Sequence, residues 1–199
     1  MSKYIEISKP KAVIIDLDWT TCFEPIVGDL PQNNDRKSWA KYHAARFYYN
    51  KQYFTPIKEV IKIIDSYLRQ YSCFITPIFL TAREDTHNGL IRKNTMDFIT
   101  TYFYDCFSDN TTLLMREEND YRKSSAVKQE HLKEILKLYD VEIAFDDDES
   151  NKDMFLENGI TVLQVHSKDV YNLVKGKWMN KICKPVIIDN VDVSKCDFL

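Results

Sequence analysis

Two carboxylates two residues apart, Asp16 and Asp18, are followed by the hydroxyl of Thr20 and preceded by the apolar run Ala12-Val13-Ile14-Ile15. Side chains on a strand alternate faces, so the chain must turn directly after Asp16 if both carboxylates are to face one cleft. The C-terminal edge of a parallel strand is where open α/β sheets bind ligands. A carboxylate placed there can act as a nucleophile, and its neighbour can carry a proton. The same pentapeptide in isolation also suits a solvated turn closed by Asx hydrogen bonds, so the rest of the chain must decide.

Three further polar clusters follow. Phe79-Leu80 runs into Thr81-Ala82-Arg83. A hydroxyl and a guanidinium after a buried strand can hold a phosphate, the arginine by a bidentate pair; a capping threonine beside a surface arginine is the plainer alternative. Ile143-Ala144-Phe145 runs into Asp146-Asp147-Asp148. Adjacent carboxylates repel unless a cation or solvent relieves them, and oxygen-only ligands select hard ions such as Mg²⁺. An exposed acidic loop explains most such triplets, but this one ends an apolar strand in step with the other clusters. Between them lies Asn119 to Lys128. Lys128 is expected in the first turn of a helix, where the positive end of the helix dipole disfavours a lysine unless an anion is near. Lys123 reads as solvated surface.

The elements that must position these groups alternate. Strands are expected at residues 12–15, 76–80, 112–115, 141–145 and 161–165. A helix is expected over 56–71, with Thr55 as its cap and Pro56 as its first residue, because Val60, Ile61, Ile64 and Leu68 follow at helical spacing. Further helices are expected over 88–101, from a cap at Ser124 or Ser125 onward, and over 151–158 up to Gly159. This β-α rhythm argues for a parallel sheet covered on both faces. The stretch 24–54 breaks the rhythm, since a strand-to-helix connection takes only a few residues. It therefore reads as an insertion beside the site. Val186-Ile187-Ile188 is expected to add an edge strand.

Composition narrows the classes. The 199 residues suit one domain with a modest insertion, and a net charge of −3 confines any basic surface to a local patch. Five scattered cysteines with no CxxC pair disfavour zinc and disulfide scaffolds and suit a reducing, cytoplasmic setting. No secretory h-region opens the chain, and no apolar stretch is long enough to span a bilayer, so no membrane role is expected. With four glycines in all, there is no P-loop and no dinucleotide fingerprint.

DxDxT after an apolar strand, Thr-x-Arg at a second strand end, a lysine, and Asp-Asp at a third strand end together resemble the four-motif order of the haloacid dehalogenase superfamily of phosphohydrolases. The likeness covers roughly residues 11–168. Within that superfamily, Leu113 to Arg116, Asn119 to Arg122, Val127-Lys128, Val141 to Asp147 and Val162 to Val165 are similar to the 3′-phosphatase domain of phage polynucleotide kinase–phosphatases. The Trp39-containing insertion resembles a segment of stand-alone relatives of that domain. The family usually has an aspartate where this chain has Ser124, an arginine soon after DxDxT where this chain has none before Arg36, and a small residue where it has Trp19.

The resemblance implies a haloacid dehalogenase-like, Rossmannoid three-layer α/β sandwich over residues 1–199, with a small cap insertion at about 24–54. It implies Asp16 as nucleophile forming an aspartyl-phosphate, and Asp18 as general acid and then base. Thr81 and Lys128 would hold phosphoryl oxygens, and Arg83, flanked by Ala82, would clamp phosphate or substrate. Mg²⁺ would be bound by Asp16, Asp146 and the Asp18 carbonyl, with Asp147 as ligand or supporting partner. The implied substrate is a 3′-phosphate on a polynucleotide end.

Two other functions stay open: a nucleotidase for free nucleoside monophosphates, and an end-binding protein with a degenerate site. The intact acids argue against the second. Cations in the insertion, Lys41 and Arg46 among them, alternate with Trp39, Tyr42, His43 and Phe47. They could track a nucleic-acid backbone while the aromatics stack on bases, or the aromatics could be the buried face of an amphipathic helix. The two readings are compatible.

Overall fold

The computed structural model describes residues 8–23, 38, 55–71, 75–86, 88–104 and 111–166. Five strands form one parallel sheet: β1 (Lys11–Ile15), β4 (Ile75–Glu84), β5 (Thr112–Arg116), β6 (Asp140–Asp146) and β7 (Thr161–Gln164), in the order β5-β4-β1-β6-β7. Two short strands, β2 (Cys22–Phe23) and β3 (Thr55–Pro56), pair antiparallel at the two ends of the 24–54 insertion. Four described helices connect the sheet: α1 (Lys58–Gln70), α2 (Leu90–Tyr102), α3 (Ser124–Leu138) and α4 (Glu149–Glu157).

Strand alternation divides the core in two. Val13, Ile15, Phe79 and Phe145 face one side, where Val60, Ile61, Ile64 and Leu68 of α1 and Ile91, Phe98 and Ile99 of α2 pack on them. Ala12, Ile14, Ile78, Leu80 and Ala144 face the other, against Leu132 and Ile135 of α3 and Met154 and Phe155 of α4. Helices on both faces of a parallel sheet make a three-layer α/β/α sandwich, the architecture expected from the β-α rhythm. Both faces of the central strands are buried, which is why they read as continuous apolar runs rather than alternating ones.

Several boundaries differ from expectation. Thr55 and Pro56 form β3, not a helix cap; α1 begins after Ile57, whose N–H donates to the Thr21 carbonyl at 2.8 Å. An edge pairing of two residues tolerates the missing proline donor. The cap position of α3 is Lys123 rather than a serine, and it makes no side-chain cap bond. Helix α4 starts two residues earlier than expected because Asp148 caps it, accepting from the N–H groups of Ser150 and Asn151. It stops before Gly159, whose φ of 76° suits a left-handed terminus. Strand β4 runs on to Glu84, so Thr81-Ala82-Arg83 lies within its end rather than beyond it. The insertion residues Arg36, Trp39, Lys41, Tyr42, His43, Arg46 and Phe47 and the expected strand at 186–188 lie outside the described residues. No described helix is long and apolar enough to cross a membrane.

Candidate active site

Register brings the acids together. Ile15 of β1 pairs with Phe145 of β6, so the next residues, Asp16 and Asp146, leave adjacent strands at the same level. The Asp16 N–H extends this pairing to the Phe145 carbonyl at 2.9 Å. The chain then turns on one acceptor: the Leu17 carbonyl takes the N–H groups of Thr20, Thr21 and Cys22. This turn lets Asp18 and Thr20 both face the sheet edge.

Lys128 is the hub. Its Nζ donates to Asp16 Oδ1 at 2.6 Å and to Asp146 Oδ2 at 2.7 Å. The lysine stands in the second turn of α3, not the first, and only 2% of it is exposed. Burial alone would lower its pKa, but the charges of Asp146 and Asp16 outweigh burial and hold it above the ordinary lysine value. Asp16 is pushed the other way. Burial raises its pKa well above the usual carboxylate value, Lys128 opposes this, and Asp146, Asp147 and Asp18 add repulsion.

Asp16, Asp146 and Asp147 each offer an oxygen within 4.8 Å of the others. The donors are all hard oxygens, and one lysine offsets only one of three charges, so the cluster fits a divalent cation of the Mg²⁺ class. Asp18 is not in this trio by its side chain. Thr20 Oγ1 donates to Asp16 Oδ2 at 3.0 Å and makes a longer contact of 3.5 Å to Asp147 Oδ1.

The Asp18 side chain belongs to Arg83. Nη2 reaches Asp18 Oδ1 at 2.6 Å, and Nε reaches Oδ1 at 3.1 Å and Oδ2 at 2.9 Å. The arginine side chain is fully buried while Asp18 keeps 17% exposure. Arg83 Nη1 also donates to Thr95 Oγ1 at 3.1 Å, and Nη2 lies 3.2 Å from Cys22 Sγ. Thr81 Oγ1 accepts from the Arg83 N–H at 3.2 Å and lies 3.4 Å from Asp18 Oδ2. Residues 81 and 83 share one face of the extended strand, so both meet the same carboxylate. Ala82 points its carbonyl to Arg116 Nε at 2.9 Å, and Arg116 Nη1 also holds the carbonyls of Asp120 and Arg122. That guanidinium ties the loop before α3 to β4.

The expected residues Asp16, Asp18, Thr81, Arg83, Lys128, Asp146 and Asp147 thus meet at one sheet edge; Lys41 and Arg46 lie outside the described residues. Asn151 was not anticipated. It is buried on the first turn of α4, and its Nδ2 donates to both Asp146 oxygens, at 3.0 and 3.2 Å. The Asp148 N–H adds a bond to Asp146 Oδ1 at 3.0 Å. The one sequence signal for Asn151 is its place one turn past an aspartate that caps a helix. Gln164, at the end of β7, holds the same loop from the other side through the Asp147 carbonyl and Glu149.

Trp19 sits between Asp18 and Thr20 with a φ of 67°. A bulky L-residue there costs about 1–3 kcal/mol. Its N–H donates to the Cys22 carbonyl at 2.7 Å, and its ring meets Phe23 edge-on, centroids 5.9 Å apart.

An all-parallel sheet with Asp-x-Asp at the end of its central strand, a buried lysine across from it and an acidic pair on the next strand defines a phosphatase domain of the haloacid dehalogenase type. The sequence model of the polynucleotide kinase PNKP phosphatase domain family matches residues 10–170, and the chain belongs to that family. Two solved chains share the fold. One comes from a Pnkp1/Rnl/Hen1 RNA repair complex, with 29% identity and a TM-score of 0.55; the match covers 79% of this chain and 42% of that one. The other, from a Pnkp1/Rnl/Hen1 complex, has the same identity and TM-score, with 80% and 47% covered. This chain therefore spans under half the length of either. No curated protein matches it.

Proposed function

We propose that this domain is a Mg²⁺-dependent phosphomonoesterase that removes 3′-phosphate from polynucleotide ends through an aspartyl-phosphate on Asp16. The observation that carries the reading is the Lys128 bridge between Asp16 and Asp146. It holds a buried carboxylate at a sheet edge, beside an acidic cluster suited to a divalent cation, in a member of a polynucleotide phosphatase family.

An Asp16 oxygen attacks phosphorus, the P–O bond to the sugar breaks, and the leaving alkoxide takes the proton of Asp18. Asp18 then takes a proton from water as that water attacks the phosphorus. The bond to Asp16 breaks, and inorganic phosphate leaves. Arg83 holds Asp18 in place for both transfers, while Thr81 and Lys128 meet the phosphoryl oxygens. Mg²⁺ held by Asp16, Asp146, Asp147 and the Asp18 carbonyl would supply the charge neutralisation that an anionic ester needs against an anionic nucleophile. The insertion at 24–54 serves as a cap, with Lys41 and Arg46 following the substrate backbone.

Phosphate release from 3′-phosphorylated oligonucleotides, 5′-phosphorylated oligonucleotides and free mononucleotides tests the proposal. Release confined to the 3′ ends is expected. Preference for mononucleotides would replace the reading with a nucleotidase, and no release from any of the three would favour an end-binding role.

A further inference from the structure

Strands β4 and β5 pair regularly up to Leu80 opposite Leu114, and pair again at Glu84 opposite Arg116. Between these points Thr81, Ala82 and Arg83 stand against a single residue, Met115, so β4 must arch away from its neighbour. Bulges of this kind re-aim side chains and collect beside active sites. Here the arch carries Thr81 and Arg83, the two residues of β4 that meet the Asp18 carboxylate.

An arch gives up ladder bonds, and a carbonyl inside it needs another donor. The Ala82 carbonyl, midway along it, accepts from Arg116 Nε at 2.9 Å. Arg116 Nη1 donates to the carbonyls of Asp120 and Arg122 at 2.9 and 2.6 Å, in the loop that runs directly into α3. The same loop adds two contacts to the strand just past the arch. Thr86 Oγ1 donates to Glu118 Oε1 at 2.6 Å, and Glu84 Oε1 accepts from the Asn119 N–H. One guanidinium, its side chain only 12% exposed, therefore pins the middle of the arch to the start of the helix that carries Lys128. Two nitrogens of a rigid plane can span two segments in this way, whereas the single nitrogen of a lysine cannot.

We infer that Arg116 is a positioning residue: it fixes the Thr81–Arg83 arch against the start of α3, and so sets the Arg83 fork on Asp18 during turnover. The inference rests on the phosphatase reading of Asp16 and Asp18 above. Arg116 works through Arg83 rather than on the phosphate.

The test compares wild type with Arg116→Lys and Arg116→Gln, each assayed as folded protein well below its own Tm. The substrates are a 3′-phosphorylated oligonucleotide and p-nitrophenyl phosphate. On both, kcat is expected to fall about 10- to 100-fold, up to the cost of misplacing a reacting group by roughly 1 Å, with KM little changed. Mg²⁺ affinity, read by calorimetry, should hold, because Asp16, Asp146 and Asp147 gather at the ends of β1 and β6 rather than on the arch. In an Arg83→Lys background the fork is already lost, so Arg116→Lys should cost little more. An unchanged kcat, losses that multiply in the double variant, or Mg²⁺ affinity that falls in step with kcat would overturn the inference. Failure of both single variants to fold would do the same and make Arg116 a support of the fold. Wild-type turnover of the small ester alone would overturn the polynucleotide reading, and the same comparisons on that ester would decide this inference. Release from neither substrate would overturn both.

Discussion

Arg83 grips Asp18 with two prongs, Nη2 to Oδ1 at 2.6 Å and Nε to Oδ2 at 2.9 Å, across 65 residues of sequence. A planar fork fixes both the place and the rotation of the carboxylate, which a point charge cannot do. Arg83→Lys should therefore keep more stability than Arg83→Ala yet lose most of the turnover. Arg83→Ala removes one partner of a largely buried pair and should cost roughly 3 kcal/mol. Thermal melts and steady-state kinetics on the two variants check this; full turnover by Arg83→Lys would leave the fork without a role.

Lys128→Met should lower kcat by about 10²–10³, the range for losing one preorganised charge partner. From the sequence, Lys128 is expected at an exposed helix start, where alanine would lower turnover without unfolding the protein. Its burial changes that expectation: alanine would remove the charge and also leave a cavity, so methionine, which removes the charge but keeps most of the volume, is the cleaner variant. Because the folded-state pKa of Lys128 is raised, its charge persists through the alkaline range, and any alkaline fall in rate must come from another group. A wild-type alkaline limb that vanishes in Lys128→Met would contradict this.

Asn151→Ala should weaken divalent-cation binding by about 10–100-fold, as expected when a residue orienting a ligand is removed. Calorimetric titration with Mg²⁺ reads this without recourse to activity. Unchanged affinity would mean that Lys128 and the Asp148 N–H suffice to orient Asp146.

The legible and illegible parts divide by sequence distance. Asp16 and Asp146 could be read because each ends a buried strand, and one-dimensional patterning shows where a strand stops. The Arg83–Asp18 pair could not, because it depends on β4 extending to Glu84 past an irregular pairing with β5, where Leu80 and Glu84 oppose Leu114 and Arg116. Asn151 was hidden for a similar reason: a helix that starts at Glu149 instead of Asn151 turns that side chain onto Asp146. Thr55-Pro56 carried a true helix-start signature, and the hairpin with Cys22-Phe23 overrode it.

Asp16 sets a pH dependence in the metal-free protein. Its folded-state pKa is raised, so folding favours the protonated acid; that contribution is full below the unfolded value and is lost as pH rises through the raised value. Asp16→Asn does not titrate. Its stability relative to wild type should therefore increase from acid toward neutral pH in EDTA, and the gain should shrink with Mg²⁺ present. Denaturant melts across that range check the sign; a relative stability that falls with pH would contradict the environment described for Asp16.

Acid quenching during turnover of an oligonucleotide radiolabelled at its 3′-phosphate, followed by peptide mapping, tests the covalent account most directly. With Mg²⁺, label is expected on the peptide carrying Asp16, and neither label nor phosphate release is expected from folded Asp16→Asn or from wild type in EDTA. Full turnover by Asp16→Asn, or wild-type turnover with label on a different residue, would contradict the assignment of Asp16 as the nucleophile.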